Sequence, residues 1–155
     1  MNGAVLLTPV GLADIDEILR IETASFAQPW GRQSILDELA VADAVQFAAR
    51  PPQAKALMVG FLLARVLYDE MHLMKVAVDP PWRLRGAAAA LLRAAQAEAH
   101  RRGAVSIVLE VRSTNRSAIA FYRNQGFETI GIRPNYYPQT GENALVMTKS
   151  LKEVS

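Results

Sequence analysis

Val76-Ala77-Val78-Asp79-Pro80-Pro81-Trp82-Arg83-Leu84-Arg85-Gly86-Ala87-Ala88-Ala89-Ala90-Leu91-Leu92 is the stretch around which the chain is organised. It opens on a short β-branched run, turns at Asp79, Pro80 and Pro81, and enters an alanine-rich helix through Gly86. The first turn of a helix has N–H groups without an internal partner, and the macrodipole makes that end electropositive. Arg83 and Arg85 add full positive charges there. Gly86, Ala87 and Ala88 keep side-chain bulk away, so a phosphate can approach the backbone closely. The spacing predicts a pyrophosphate cradle. An ordinary amphipathic helix with solvated arginines would show the same spacing, so on spacing alone both readings stay open.

Outward from the cradle, Met71 to Val78 reads as the strand that feeds it. The helix is expected from Gly86 to about Arg102, with Ala88, Leu91, Leu92, Ala95 and Ala99 as a narrow buried stripe and Gly103 just past its end. Towards the N-terminus, Ala4 to Val10 and Ala44 to Ala49 read as strands, and Leu57 to Val66 as a strand covered on both faces. Between them lie two helices. In the first, Leu12, Ile15, Ile18, Leu19 and Glu22 share one side, and the second runs over 32–41. Ser25 to Trp30 breaks the two helices with a pair of large aromatics. Towards the C-terminus come a strand over Val105 to Val111, a helix over Asn115 to Asn124, and strands over Phe127 to Ile132 and Ala144 to Thr148. Arg133 to Gly141 is expected as a loop. This order predicts a single α/β domain over 1–155, with a central mixed, mostly antiparallel sheet flanked by helices.

Bulk properties exclude several classes. The chain has 155 residues and no cysteine, so disulfides, thiolate nucleophiles and Cys-based metal sites are ruled out. His72 and His100, the only histidines, are too far apart in sequence for a convincing zinc site. With 17 basic against 15 acidic residues and no basic run interleaved with aromatics, direct nucleic-acid binding is not expected. No apolar stretch reaches membrane-spanning length, and a cytoplasmic protein without metal is the expectation.

The pattern Arg83-x-x-Gly86-x-Ala88 after a Val-Ala-Val-Asp-Pro strand end resembles the acetyl-CoA motif of the GNAT superfamily of N-acetyltransferases. Leu84 stands where many members carry a charged or polar residue, and Ala88 takes the place of a second glycine. Acetyl transfer from a thioester to an amine needs a base for the amine, donors for the oxyanion, an acid for the leaving thiolate and an aligned cofactor. On the strand Ser106 to Arg112, alternation puts Val108, Glu110 and Arg112 on one face. Glu110 reads either as a general base, through water, or as the structural partner of Arg112. Tyr122 on the following helix reads as a general acid or as a core tyrosine. Asn115 suits an N-cap, with which a cofactor contact is compatible. Val76, Ala77 and Val78 would offer backbone groups to the amide-rich pantetheine arm if two strands splay apart there.

The run Leu109-Glu110-Val111-Arg112-Ser113-Thr114-Asn115-x-x-Ala118-Ile119-Ala120-x-Tyr122-x-x-x-Gly126-Phe127, with Arg133-x-Asn135-Tyr136-Tyr137-Pro138, is similar to the ribosomal-protein-alanine N-acetyltransferase branch (RimI-type). The Pro29-Trp30 segment resembles it too. The resemblance implies Glu110 as general base, Tyr122 as general acid, and cofactor contacts at Val76 to Val78, at Leu84, Arg85, Gly86, Ala87, Ala88 and Ala89, and at Asn115. It implies acetyl-CoA as co-substrate and, as substrate, the N-terminal amine of a ribosomal protein that begins with a small residue such as alanine. Phe26, Trp30, Tyr136 and Tyr137 are expected to frame a slot for an extended peptide, although each pair also reads as core or hairpin packing. A lysine or free-amine acetyltransferase, and a CoA-holding module without turnover, are the alternatives. The Glu110/Tyr122 pair disfavours the last, which has no chemical need of both.

Overall fold

The computed structural model describes residues 4–151. Seven strands form one sheet in the order β1-β2-β3-β4-β5-β7-β6. They are β1 (Leu6–Pro9), β2 (Ala44–Arg50), β3 (Gly60–Leu67), β4 (Glu70–Val78), β5 (Ser106–Arg112), β6 (Glu128–Tyr137) and β7 (Glu142–Ser150). Helices α1 (Ile15–Ser25) and α2 (Arg32–Leu39) follow β1, α3 (Ala87–Arg101) joins β4 to β5, and α4 (Arg116–Asn124) joins β5 to β6. Among the described residues only β4 and β5 pair in parallel. Parallel neighbours need a long crossover, which α3 supplies.

Alternation along β3 divides the core. Phe61 and Leu63 face α1 and α2, where they meet Ile18, Ile21 and Ile35, while Leu62 and Ala64 face α3 and meet Leu91, Leu92 and Ala95. Covered on both faces, β3 carries a near-continuous apolar run, as its sequence predicts. It begins at Gly60 rather than Leu57. The buried stripe of α3 starts at Ala87, not Ala88, and continues through Leu91, Leu92, Ala95 and Ala99. In α1 the stripe ends on Glu22, which is fully buried.

Two features of the sheet position the site. The β4–β5 ladder holds only at Glu70↔Ser106, Met71↔Ile107 and His72↔Val108. Beyond it β4 stays with β3 as far as Val78↔Gly60, and β5 stays with β7 as far as Arg112↔Ala144. The facing edges of the two strands are therefore unpaired with each other, and the sheet opens as a V. The register β3 keeps with β4 jumps from Leu63↔Lys75 to Ala64↔Leu73, leaving Met74 as an extra residue. Such a bulge bends and twists its strand, and this one lies where the strands part.

The C-terminal hairpin is longer than expected. Arg133 to Tyr137 continues β6, so Tyr136 and Tyr137 stand at a strand end and the turn is confined to 138–141. The strand absorbs Pro134 because β6 is an edge, where a missing N–H costs little. A register shift between Arg133 and Tyr137, with Asn135 at φ 52°, marks the irregularity. Among the described residues no helix is long and apolar enough to cross a membrane.

Candidate active site

At the mouth of the V, the N-terminus of α3 carries no side-chain cap. Gly86 sits there at φ 87°, a left-handed conformation that favours glycine, and a Cβ built on it meets nothing within 4 Å. Unpartnered N–H groups at the end of a 15-residue helix, with open space before them, fit an anionic group such as a pyrophosphate. Arg85 lies beside this space, its guanidinium 5.0 Å from the Trp82 ring. Arg83 keeps its charge nearby, but its donors are engaged: Nε donates to the Val78 carbonyl at 2.9 Å and Nη2 to Ser25 Oγ at 3.1 Å. It ties the cradle turn to the end of β4. Leu84 is fully exposed at φ 63°. Ala87, Ala88 and Ala89 form the first helical turn. Val76, Ala77 and Val78 use one backbone edge on β3 and present the other to the split, which suits an amide-bearing arm.

Below the cradle a cleft of about 890 Å³ runs along the split. Its floor is β4 and β5, its walls the α1–α2 connection and the end of β6, and Glu110, Tyr122, Phe26, Trp30, Tyr136 and Tyr137 all line it. The sheet thus gathers residues from four separate parts of the chain.

Glu110 is only 8% exposed, and a carboxylate so placed needs partners. They are His72, whose Nε2 lies 2.7 Å from Oε1, and Arg133, 3.8 Å from Oε2. The Arg112 partner offered by the sequence is not the one found. Arg112 donates instead to Glu142 at 2.6 Å and stacks 3.9 Å over the Tyr137 ring. His72 gave no signal in sequence, being 38 residues from Glu110 and brought opposite it by the last rungs of the parallel ladder.

Tyr122 packs edge-on against Phe121 at 5.3 Å and Phe127 at 5.6 Å. Burial, with Tyr137 adding to it, pushes its hydroxyl well above the ordinary phenol range, so the group stays protonated. Tyr137 is pushed up to about 12, mainly by burial. Tyr136 is raised by burial and by the nearby Glu110. Asn115 caps α4, its Oδ1 accepting from the Ala118 N–H at 3.1 Å. Its amide N–H groups are left for another acceptor.

Lys75 was not singled out by sequence. Its ammonium lies 2.7 Å from Glu22 Oε2, 3.7 Å from the centre of the Phe26 ring and 5.0 Å from that of Trp30. The same Glu22 oxygen accepts the Trp30 backbone N–H at 2.8 Å. Burial pulls the Lys75 ammonium below its ordinary value in spite of Glu22. The two aromatics of the α1–α2 wall are therefore built around an internal ion pair. Among the described residues no group of three or more metal-ligating side chains gathers.

Residues 15–127 match the model of the acetyltransferase (GNAT) family. Over 136 residues the chain is 33% identical to the ribosomal protein bS18-alanine N-acetyltransferase of Escherichia coli strain K12, covering 86% of this chain and 89% of that protein. A putative ribosomal protein bS18-alanine N-acetyltransferase of Bacillus subtilis strain 168 is 30% identical over 149 residues, 92% of this chain and 93% of that protein. The crystal structure of the ribosomal-protein-S18-alanine N-acetyltransferase from Escherichia coli matches with a TM-score of 0.86 and 29% identity, over 98% of this chain and 97% of that one.

Proposed function

Because the chain belongs to the acetyltransferase (GNAT) family, we propose that this N-acetyltransferase modifies the N-terminal α-amine of a protein, a ribosomal protein beginning with a small residue such as alanine. The observation that carries the reading is the cleft itself, where a largely buried carboxylate on β5 and a partly buried tyrosine on α4 line one cavity between two aromatic walls. The likeness to the two bS18-alanine N-acetyltransferases supports the choice of acceptor.

Acetyl-CoA, the co-substrate of this family, supplies the acetyl group as an activated thioester. The N–H groups at the start of α3, with Arg85, would hold its phosphates; Val76 to Val78 and the Asn115 amide would hold its amide-bearing arm. Glu110 accepts the proton that the acceptor ammonium must lose, directly or through water. His72 and Arg133 are the partners of its carboxylate and fix its orientation. Tyr122 holds a proton in the same cleft and releases it to the departing thiolate. The strand split lets both groups line one cleft without a catalytic loop.

An α-amine differs from a lysine amine in having peptide backbone beside it. Tyr136 and Tyr137 on one wall and Phe26 and Trp30 on the other suit a slot that takes an extended chain end. A peptide beginning with alanine and carrying an internal lysine offers both amines. Mass spectrometry of the product is expected to place the acetyl group on the N-terminus; label on the lysine alone would overturn the acceptor assignment and leave the acetyltransferase standing.

The acid role has its own test. Tyr122→Phe keeps the ring contacts with Phe121 and Phe127, so fold and acetyl-CoA affinity should hold. Turnover should fall about a hundredfold, the low end of what a positioned acid contributes. A near-wild-type rate with chemistry limiting would make Tyr122 a packing residue.

A further inference from the structure

Two largely buried carboxylates stand in and beside the cleft, and only Glu110 lines it. Glu110 faces the floor. Glu22 is fully buried behind the α1–α2 wall, with Oε2 shared by the Trp30 N–H and Lys75 and with Oε1 lacking any hydrogen-bond partner. A carboxylate flanked by two aromatic faces is the chemistry that recognises an alkylammonium ion. Here the ammonium is already present, because Lys75 reaches into the space from β4.

We propose that Lys75 is a specificity-determining residue: its ammonium plugs a second alkylammonium site formed by Glu22, Phe26 and Trp30, so that an acceptor amine can be received only at Glu110. This rests on the reading that the cleft takes an amine acceptor. The ammonium of any substrate would be drawn to a vacant Glu22 box as strongly as to the base. Bound there it would lie away from Glu110 and could not be deprotonated. The carboxylate cannot simply be dispensed with, since it also holds the Trp30 backbone and with it the wall. Lys75 keeps the anion and removes the decoy, a case of specificity obtained by blocking the wrong mode.

The test is Lys75→Ala, with Lys75→Arg as the variant that restores the cation. The probe is methylammonium chloride, compared with sodium chloride at equal ionic strength. In Lys75→Ala, methylammonium should raise the melting temperature by about 2–4 °C. It should also return kcat and KM for an alanine-initiated peptide towards their wild-type values, because it refills the box as Lys75 does; wild type and Lys75→Arg should show neither effect. Without methylammonium, kcat and KM of Lys75→Ala for the peptide should fall together, the signature of unproductive binding. Absence of both methylammonium effects in folded Lys75→Ala overturns the proposal. If Lys75→Ala does not fold, the double variant Glu22→Gln/Lys75→Met removes both charges. It should show no methylammonium response; a response there would overturn the proposal. Should wild type acetylate no amine at all, the acceptor reading fails, and the thermal shift alone still decides whether the box binds cations.

Discussion

Glu110→Gln is expected to lower turnover by about 10²–10⁴-fold, the usual worth of a positioned general base. Glutamine preserves the shape of the side chain and can still accept from His72. What it loses is the capacity to take a proton, together with the charge facing Arg133. Peptide KM and acetyl-CoA affinity should therefore stay close to wild type while kcat falls. The competing account gives Glu110 a purely structural value, as the partner of His72 and Arg133 at the strand split. That account predicts a different result. Removing the charge would destabilise the fold, and the lost activity would follow the lost folded fraction. Single-turnover rates and thermal melts on the same preparation separate the two. A variant that melts early but reacts at the wild-type rate at low temperature would take the base role from Glu110.

Much of this site was legible in the sequence because it lies on local signals. A strand end, a proline turn, a glycine and an alanine-rich helix are neighbours along the chain, so the cradle could be read from one stretch. The face of β5 that carries Glu110 followed from alternation, and the cap at Asn115 from residue type. What alternation could not supply was the residue opposite. The partner of Glu110 depends on how β4 registers with β5, a contact across 38 residues, and Arg112 was merely the nearest cation on the same strand. The split coincides with a bulge at Met74, which no periodicity announces.

Lys75 and Glu22 show the same limit from another side. Glu22 stood on the apolar stripe of its helix, which was a clue that it is buried. Nothing local said that its counter-charge would come from β4 or that Phe26 and Trp30 would close around it. The lengthened β6 was missed for a simpler reason. Pro134, Asn135, Pro138 and Gly141 are turn formers, and they outweighed the strand signal; only the knowledge that β6 is an edge makes proline there acceptable.

Gly86→Asp should reduce acetyl-CoA affinity by about a thousandfold while leaving the fold slightly more stable than that of Gly86→Asn. The two variants have the same shape. Both place a short polar side chain at φ 87°, a region that Asn and Asp tolerate better than other residues, and both point into space that holds no neighbour within 4 Å. Backbone strain and steric intrusion are therefore matched, and the difference between them is one negative charge. At the N-terminus of α3 that charge complements the macrodipole and adds about 0.3–1 kcal/mol to stability. Towards a pyrophosphate about 4 Å away it acts in the opposite sense, costing about 4 kcal/mol per unit of like charge at the effective dielectric near a protein surface. Stability and affinity thus move in opposite directions. Loss of a thousandfold in the Asp variant, against about tenfold or less in Asn, assigns the phosphate to the helix end. Titration calorimetry with CoA and thermal melts supply both quantities. Equal affinities for the two variants would mean that no anion sits at Gly86, and the N–H groups of α3 would have to be removed from the cofactor site.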